Sequence, residues 1–265
     1  MSTRAIGCIA IAATALVACD QAKDTALWDP PLSLLQHQSP AGIYVGALTD
    51  TSGAHRLPQP VTALIDVNGH AQIIFPLSAQ RHVAGRVDVS GESLTGTLTE
   101  YFGTFAGFYG VGGIAPLVID GTVDAGTSIV GEYTAETHSG RVVLDYHVAY
   151  DNPSSLGFTE GVWSSSIVSS GGSIYTVTWE IDGNGQVFGA DTLGCVFIGE
   201  TNVVDATVNA YSLAIEISSC GYFDGDYAGQ AFLSTGSGGM ADWLTLGVAN
   251  DAVAFSTALQ RQSPP

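Results

Sequence analysis

The sequence predicts an all-β protein whose body forms two tandem antiparallel β-barrel or sandwich halves. Short runs rich in Val, Ile, Thr and aromatic residues recur from residue 42 onward, separated by Gly, Asn, Asp and Ser, and no long stretch carries a helical period. A weak internal repeat then divides the runs into halves. Val61, Thr62, Ile65, Asp66, Asn68 and Gly69 return as Val177, Thr178, Ile181, Asp182, Asn184 and Gly185, at a constant offset of 116.

In the first half, strands are expected at 43–49, 61–67, 71–76, 85–90, 93–101, 116–123, 128–135 and 141–150. In the second they are expected at 161–168, 174–181, 186–190, 195–200, 203–208, 212–218, 225–234, 243–248 and 252–259. The domains then run 42–151 and 157–262, joined near Asp151 to Gly157. Gly42-Ile43-Tyr44 and Gly161-Val162-Trp163 open the halves alike, and Gly131-Glu132-Tyr133 is similar to Gly225-Asp226-Tyr227. Closure into barrels hides strand edges that would otherwise recruit other chains; one large sheet assembly is the alternative.

Asp66-Val67-Asn68-Gly69 and Asp182-Gly183-Asn184-Gly185 start like calcium loops but never reach the acidic residue that completes one. Asn-Gly between two β-runs is a hairpin signal, because glycine accepts the positive φ of a tight turn.

The N-terminus has a different logic. Arg4 precedes an apolar run from Ala5 to Ala18, which is too short to span a bilayer and reads as a targeting segment over 1–18. The run ends in Leu16-Val17-Ala18-Cys19, which resembles the lipobox of bacterial lipoprotein precursors. That resemblance implies cleavage before Cys19 and lipidation of its thiol and new amino group with diacylglycerol and a palmitate-like acyl chain. Such a protein would sit in the cell envelope. Asp20 resembles the signal for retention at the periplasmic face of the inner membrane, with the outer membrane as the alternative. Residues 19–41 hold Pro30, Pro31 and Pro40 among polar residues and read as a disordered tether. The closed-barrel pattern of the body resembles the calycin-type barrels found among such lipoproteins, a likeness of fold that carries no ligand.

Charge narrows the partners. The chain carries 25 acidic against 7 basic side chains, a formal charge of −18. Such a surface repels phosphate backbones and anionic lipid heads, so no nucleic acid is expected and membrane contact is limited to the anchor. Of four cysteines, Cys8 leaves with the signal and Cys19 takes lipid. Cys195 and Cys220 then remain as a structural disulfide of an oxidising compartment. Asp191, Asp224 and Asp226 flank that pair.

No catalytic or metal constellation is recognisable. His37, His55, His70, His82, His138 and His147 show no ligand spacing, and Gly91-Glu92-Ser93-Leu94-Thr95-Gly96 misses the nucleophile-elbow pattern. No cofactor is expected. The most unusual stretch runs from Tyr101 to Gly113, where Tyr101, Phe102, Phe105, Phe108 and Tyr109 alternate with glycines. Such rings either contact a ligand or partner, because they offer large apolar area at low entropic cost, or belong to a bulged strand that places them in the core. The expectation is a membrane-anchored, non-catalytic envelope lipoprotein that binds a protein partner or a small apolar ligand. The alternative is an inhibitor or immunity lipoprotein acting on a cationic cell-wall hydrolase.

Overall fold

The structure is a computed structural model that describes residues 39–52, 57–76, 79–168, 174–235 and 241–262. The targeting segment, Cys19 and all but the end of the expected tether lie outside the described residues.

Two eight-stranded meanders follow one another. The first comprises β1 (Gly42–Ser52), β2 (Gln59–Ile65), β3 (His70–Ile74), β4 (Arg81–Ser90), β5 (Ser93–Phe105), β6 (Phe108–Asp124), β7 (Ser128–Ala135) and β8 (Ser139–Tyr146). Each pairs antiparallel with the next, and β8 returns to β1 from Tyr44↔Tyr146 to Ser52↔Ser139, closing a barrel. The second comprises β9 (Gly161–Val168), β10 (Ile174–Ile181), β11 (Gln186–Asp191), β12 (Val196–Val203), β13 (Tyr211–Ser218), β14 (Gly225–Thr235), β15 (Ala241–Ala249) and β16 (Ala254–Arg261). Here β16 meets β9 through only two pairs, Gln260↔Ser164 and Arg261↔Trp163.

Alternation builds each wall. Along β13, Tyr211, Leu213, Ile215 and Ile217 are buried while Ala214 and Glu216 face solvent. Each fully buried large apolar side chain contributes about 1.5–3 kcal/mol. In the second barrel Trp163, Trp179, Phe197, Tyr211 and Phe255 fill the axis. Arg261 closes one end: its guanidinium lies 4.2 Å from the Trp163 ring centroid and donates to the carbonyls of Phe158 and Glu160.

The repeat is reproduced in detail at the second hairpin of each barrel. Asp66 Oδ1 accepts from the amides of Asn68 and His70 at 2.8 and 2.9 Å, and Asp182 Oδ1 accepts from Asn184 and Gln186 at the same distances. Gly69 and Gly185 have φ of 82° and 83°. A Cβ there would stand 2.1 Å from the Val87 carbonyl oxygen or 2.3 Å from that of Thr201, so only glycine fits. The opening triplets are equivalent too: the Tyr44 hydroxyl donates to Pro40 O at 3.1 Å and the Trp163 indole to Thr159 O at 2.7 Å. The third match is not equivalent, since Tyr133 lies on the seventh strand of its barrel and Tyr227 on the sixth.

Three strand expectations are corrected. Residues 204–210 form a loop rather than a strand over 203–208, because Asp205 Oδ1 binds the Thr207 amide and hydroxyl at 2.8 and 2.7 Å in an Asx turn. Asn209 then ties the loop to the carbonyls of Ala149 and Leu233 at 3.0 and 2.6 Å. The strand expected over 141–150 stops at Tyr146, where a 3-10 turn, Val148–Asp151, leads to a short helix, α1 (Leu156–Thr159). Finally, β6 begins at Phe108, eight residues before its expected start at 116.

The last difference couples the barrels. The β5–β6 hairpin turns through Ala106 and Gly107, with φ of 53° and 88°, and reaches beyond its own barrel. Tyr109 and Phe108 pair with Ala254 and Phe255 of β16, and the Ser256 amide donates to Gly107 O at 3.1 Å. The hairpin tip therefore sits beside the stretch where β9 and β16 do not pair.

Candidate functional site

Both barrel interiors are occupied by side chains. In the first, the apolar core around Ile73, Leu94, Ile119 and Leu144 leaves about 20 Å³, enough for a single water. A drug-sized ligand needs roughly 300 Å³ or more. The end of that barrel holds an ionic cluster that alternation alone did not reveal. Arg81 of β4 binds Glu100 of β5, lies 3.3 Å from Asp50 Oδ1 of β1 and 3.0 Å from His138 Nε2, and stacks 4.9 Å from the Phe75 ring. The Tyr133 hydroxyl donates to Asp50. Burial pushes the Glu100 carboxyl above its usual range, while the charges of Arg81 and His138 pull it back. Arg81, Asp50 and Glu100 are each at most 5% exposed, so the cluster fills that end of the barrel.

The aromatic stretch is divided between structure and surface. Tyr101, Phe108 and Tyr109 are buried, and Phe102 is partly buried against His138 with ring centroids 6.3 Å apart. Phe108 enters the core of the second barrel, stacked 4.4 Å from Phe223 and 4.8 Å from Phe255. The Tyr101 hydroxyl crosses between barrels to Asn250 O at 2.6 Å, and Tyr109 packs on His82 with centroids 5.6 Å apart. Four of the five rings singled out from sequence thus join the barrels or finish a core. Only Phe105, at the turn, is exposed, at 43%.

Phe105 belongs to a surface patch at one end of the second barrel. Its ring stacks 6.0 Å from Phe223 and lies 5.6 Å from Tyr175, and Tyr222 stands edge-on to Phe223 at 5.5 Å. Tyr222 is 66% exposed and Ile174, beside Tyr175, is 63% exposed. The Cys195–Cys220 disulfide ties the turns that carry this end. Asp191 Oδ1 accepts from the amides of Leu193 and Cys195, and Asp224 Oδ1 from that of Cys220. These carboxylates therefore shape turns rather than converge on an ion. The segments 104–106, 174–176, 191–195 and 220–224 contain no lysine or arginine. Sequence reasoning found Phe105 but missed Tyr175, Tyr222 and Phe223, whose proximity depends on the hairpin crossing between barrels.

The outer walls of the barrels also enclose a cleft of about 550 Å³. Small residues create it: Ala84 and Gly85 on one side face Ala228, Gly229 and Ala249 on the other. Burial, helped by the charge of Asp251, pushes the Tyr101 hydroxyl in its wall up to about 12. Of the remaining histidines, His70 pairs with Asp66 at 2.9 Å, His147 caps the Val148–Asp151 turn, and His37 and His55 lie outside the described residues. Comparison with protein-family models, curated proteins and solved structures found no match.

Proposed function

We propose that this chain is a lipid-anchored, non-catalytic module of a bacterial envelope that docks a protein partner through the aromatic end of its second barrel. The observation that carries this reading is the exposed pair of Phe105 and Tyr222 on either side of Phe223, with Tyr175 against Phe105. Contiguous exposed apolar side chains mark interaction sites, and aromatic rings dominate the energetics of interfaces. Anchorage rests on Leu16-Val17-Ala18-Cys19, with Asp20 favouring the periplasmic face of the inner membrane. The Cys195–Cys220 bridge fits an oxidising compartment. A partner with a basic face fits the charge of −18, which gives specific weight to the reading of an inhibitor of a cationic cell-wall hydrolase. The filled interiors lend the small apolar ligand no support.

The test is binding of the purified lipidated chain, in vesicles, to lysozyme-like hydrolases at low and high salt. Salt-dependent binding that weakens about tenfold or more in the Phe105→Ala/Tyr222→Ala double variant supports the docking surface. Binding unchanged in that folded variant refutes the patch, and loss of vesicle association only when Cys19→Ala is introduced supports the anchor.

A further inference from the structure

The cleft between the barrels is a second, separate surface with its own chemistry. Gln72 of β3 and Gln230 of β14 line it from opposite barrels, each only 6% exposed. Gln72 Oε1 accepts from His82 Nε2 at 2.7 Å, which leaves its amide nitrogen without a protein partner. Gln230 donates to His70 O at 2.8 Å, which leaves its own carbonyl oxygen without one. Neither of these two atoms is sealed from the cleft, so each is available to a solute that enters it. The cleft thus presents a free donor from one barrel and a free acceptor from the other, together with the hydroxyls of Thr99 and Ser212.

The titratable groups that line this cleft include two carboxylates, Asp66 and Asp251, and His70, which is paired with Asp66. Both carboxylate oxygens of Asp66 are committed to its turn and to His70, whereas Asp251 is exposed and accepts no hydrogen bond among the described residues. Among the described residues no lysine or arginine lines the wall. Asp251 repels an anion and attracts a cation that enters the cleft. The volume, about 550 Å³, lies within the range of small-molecule sites.

We propose that the cleft binds a small organic cation, an ammonium group flanked by hydrogen-bonding groups, with Asp251 facing the charge and Gln72 and Gln230 completing its polar neighbours. This site is independent of the aromatic docking surface. The test titrates the full chain with glucosamine and spermidine, and with glucose as the uncharged control, by calorimetry and native mass spectrometry. The expected result is one-to-one binding of at least one amine, with glucose weaker by about tenfold or more. Ser212→Phe, which fills the cleft, abolishes binding, and Asp251→Asn, an exposed change that leaves packing intact, weakens it about tenfold. Asp145→Asn, on the outer face of β8, leaves it unchanged. The proposal is overturned if neither amine binds with defined stoichiometry or if glucose binds as well as glucosamine. It is equally overturned if Asp145→Asn and Asp251→Asn weaken binding alike, the mark of attraction to an acidic surface alone.

Discussion

Acid should loosen this protein through one histidine. His82 lies on the outer face of β4, fully buried between the barrels, with Gln72, Tyr101 and Tyr109 around its ring and no carboxylate against it. A Cβ on Gly247 of the opposing barrel would stand 3.0 Å from its Cε1, so solvent has no room to enter. Burial lowers the His82 pKa from 6.5 to about 3. The folded state therefore resists a proton that the unfolded chain accepts. The resulting stability is present in full above pH 6.5 and is lost as the pH falls toward 3. Between pH 7 and pH 4.5 the loss from this group alone is on the order of 2–3 kcal/mol, and it grows further toward pH 3. Urea denaturation of wild type and His82→Gln at both pH values isolates the contribution, because all other titrations are common to the two chains. Wild type should lose roughly 2–3 kcal/mol more than the variant. Identical losses would refute the argument that the ring is held neutral by burial.

Three further outcomes follow from packing. Phe108→Ala removes a ring shared by both barrels and should cost about 3–5 kcal/mol in denaturant unfolding. Replacing Cys195 and Cys220 together by serine opens a loop of 25 residues and should cost about 3 kcal/mol, read as a lowered melting temperature. Arg81→Met strands two buried carboxylates and should cost about 3–5 kcal/mol, with part recovered when Glu100→Gln removes one of the charges in the same chain.

The strand pattern, the division into halves and the disulfide were legible because each leaves a local mark: alternation, turn residues, a repeated motif and two cysteines. The misread segments show where local marks fail. Val203 to Val208 has the composition of a strand, but Asp205 and Asn209 compete for its backbone and win. The glycines between Phe108 and Gly113 lower β propensity, and the β5–β6 register shifts between Phe102 and Thr104, so the start of β6 was hidden. Asp50, Arg81 and Glu100 point inward from strands 19 or more residues apart, and polar residues on alternating runs are ordinarily assigned to the solvent face. The cleft left no trace in the sequence at all, because it arises from small residues on two barrels that meet only in three dimensions. Phe105 was identifiable by type, but its neighbours Tyr175 and Tyr222 depend on where the hairpin lands.

That landing has a consequence for synthesis. A ribosome delivers the chain from its N-terminus, so the first barrel can close while β16, the strand that receives Phe108 and Tyr109, is still unmade. Until residues 254–261 arrive, the protruding tip carries exposed aromatic rings and an unpaired edge, the features that make nascent chains associate wrongly. The core of the second barrel in turn takes a ring from a segment made some 150 residues before β16, as the contact between Phe108 and Phe255 records. Maturation of this protein is therefore a joining of a waiting half to a late one, and the interval between them is when it most needs shielding.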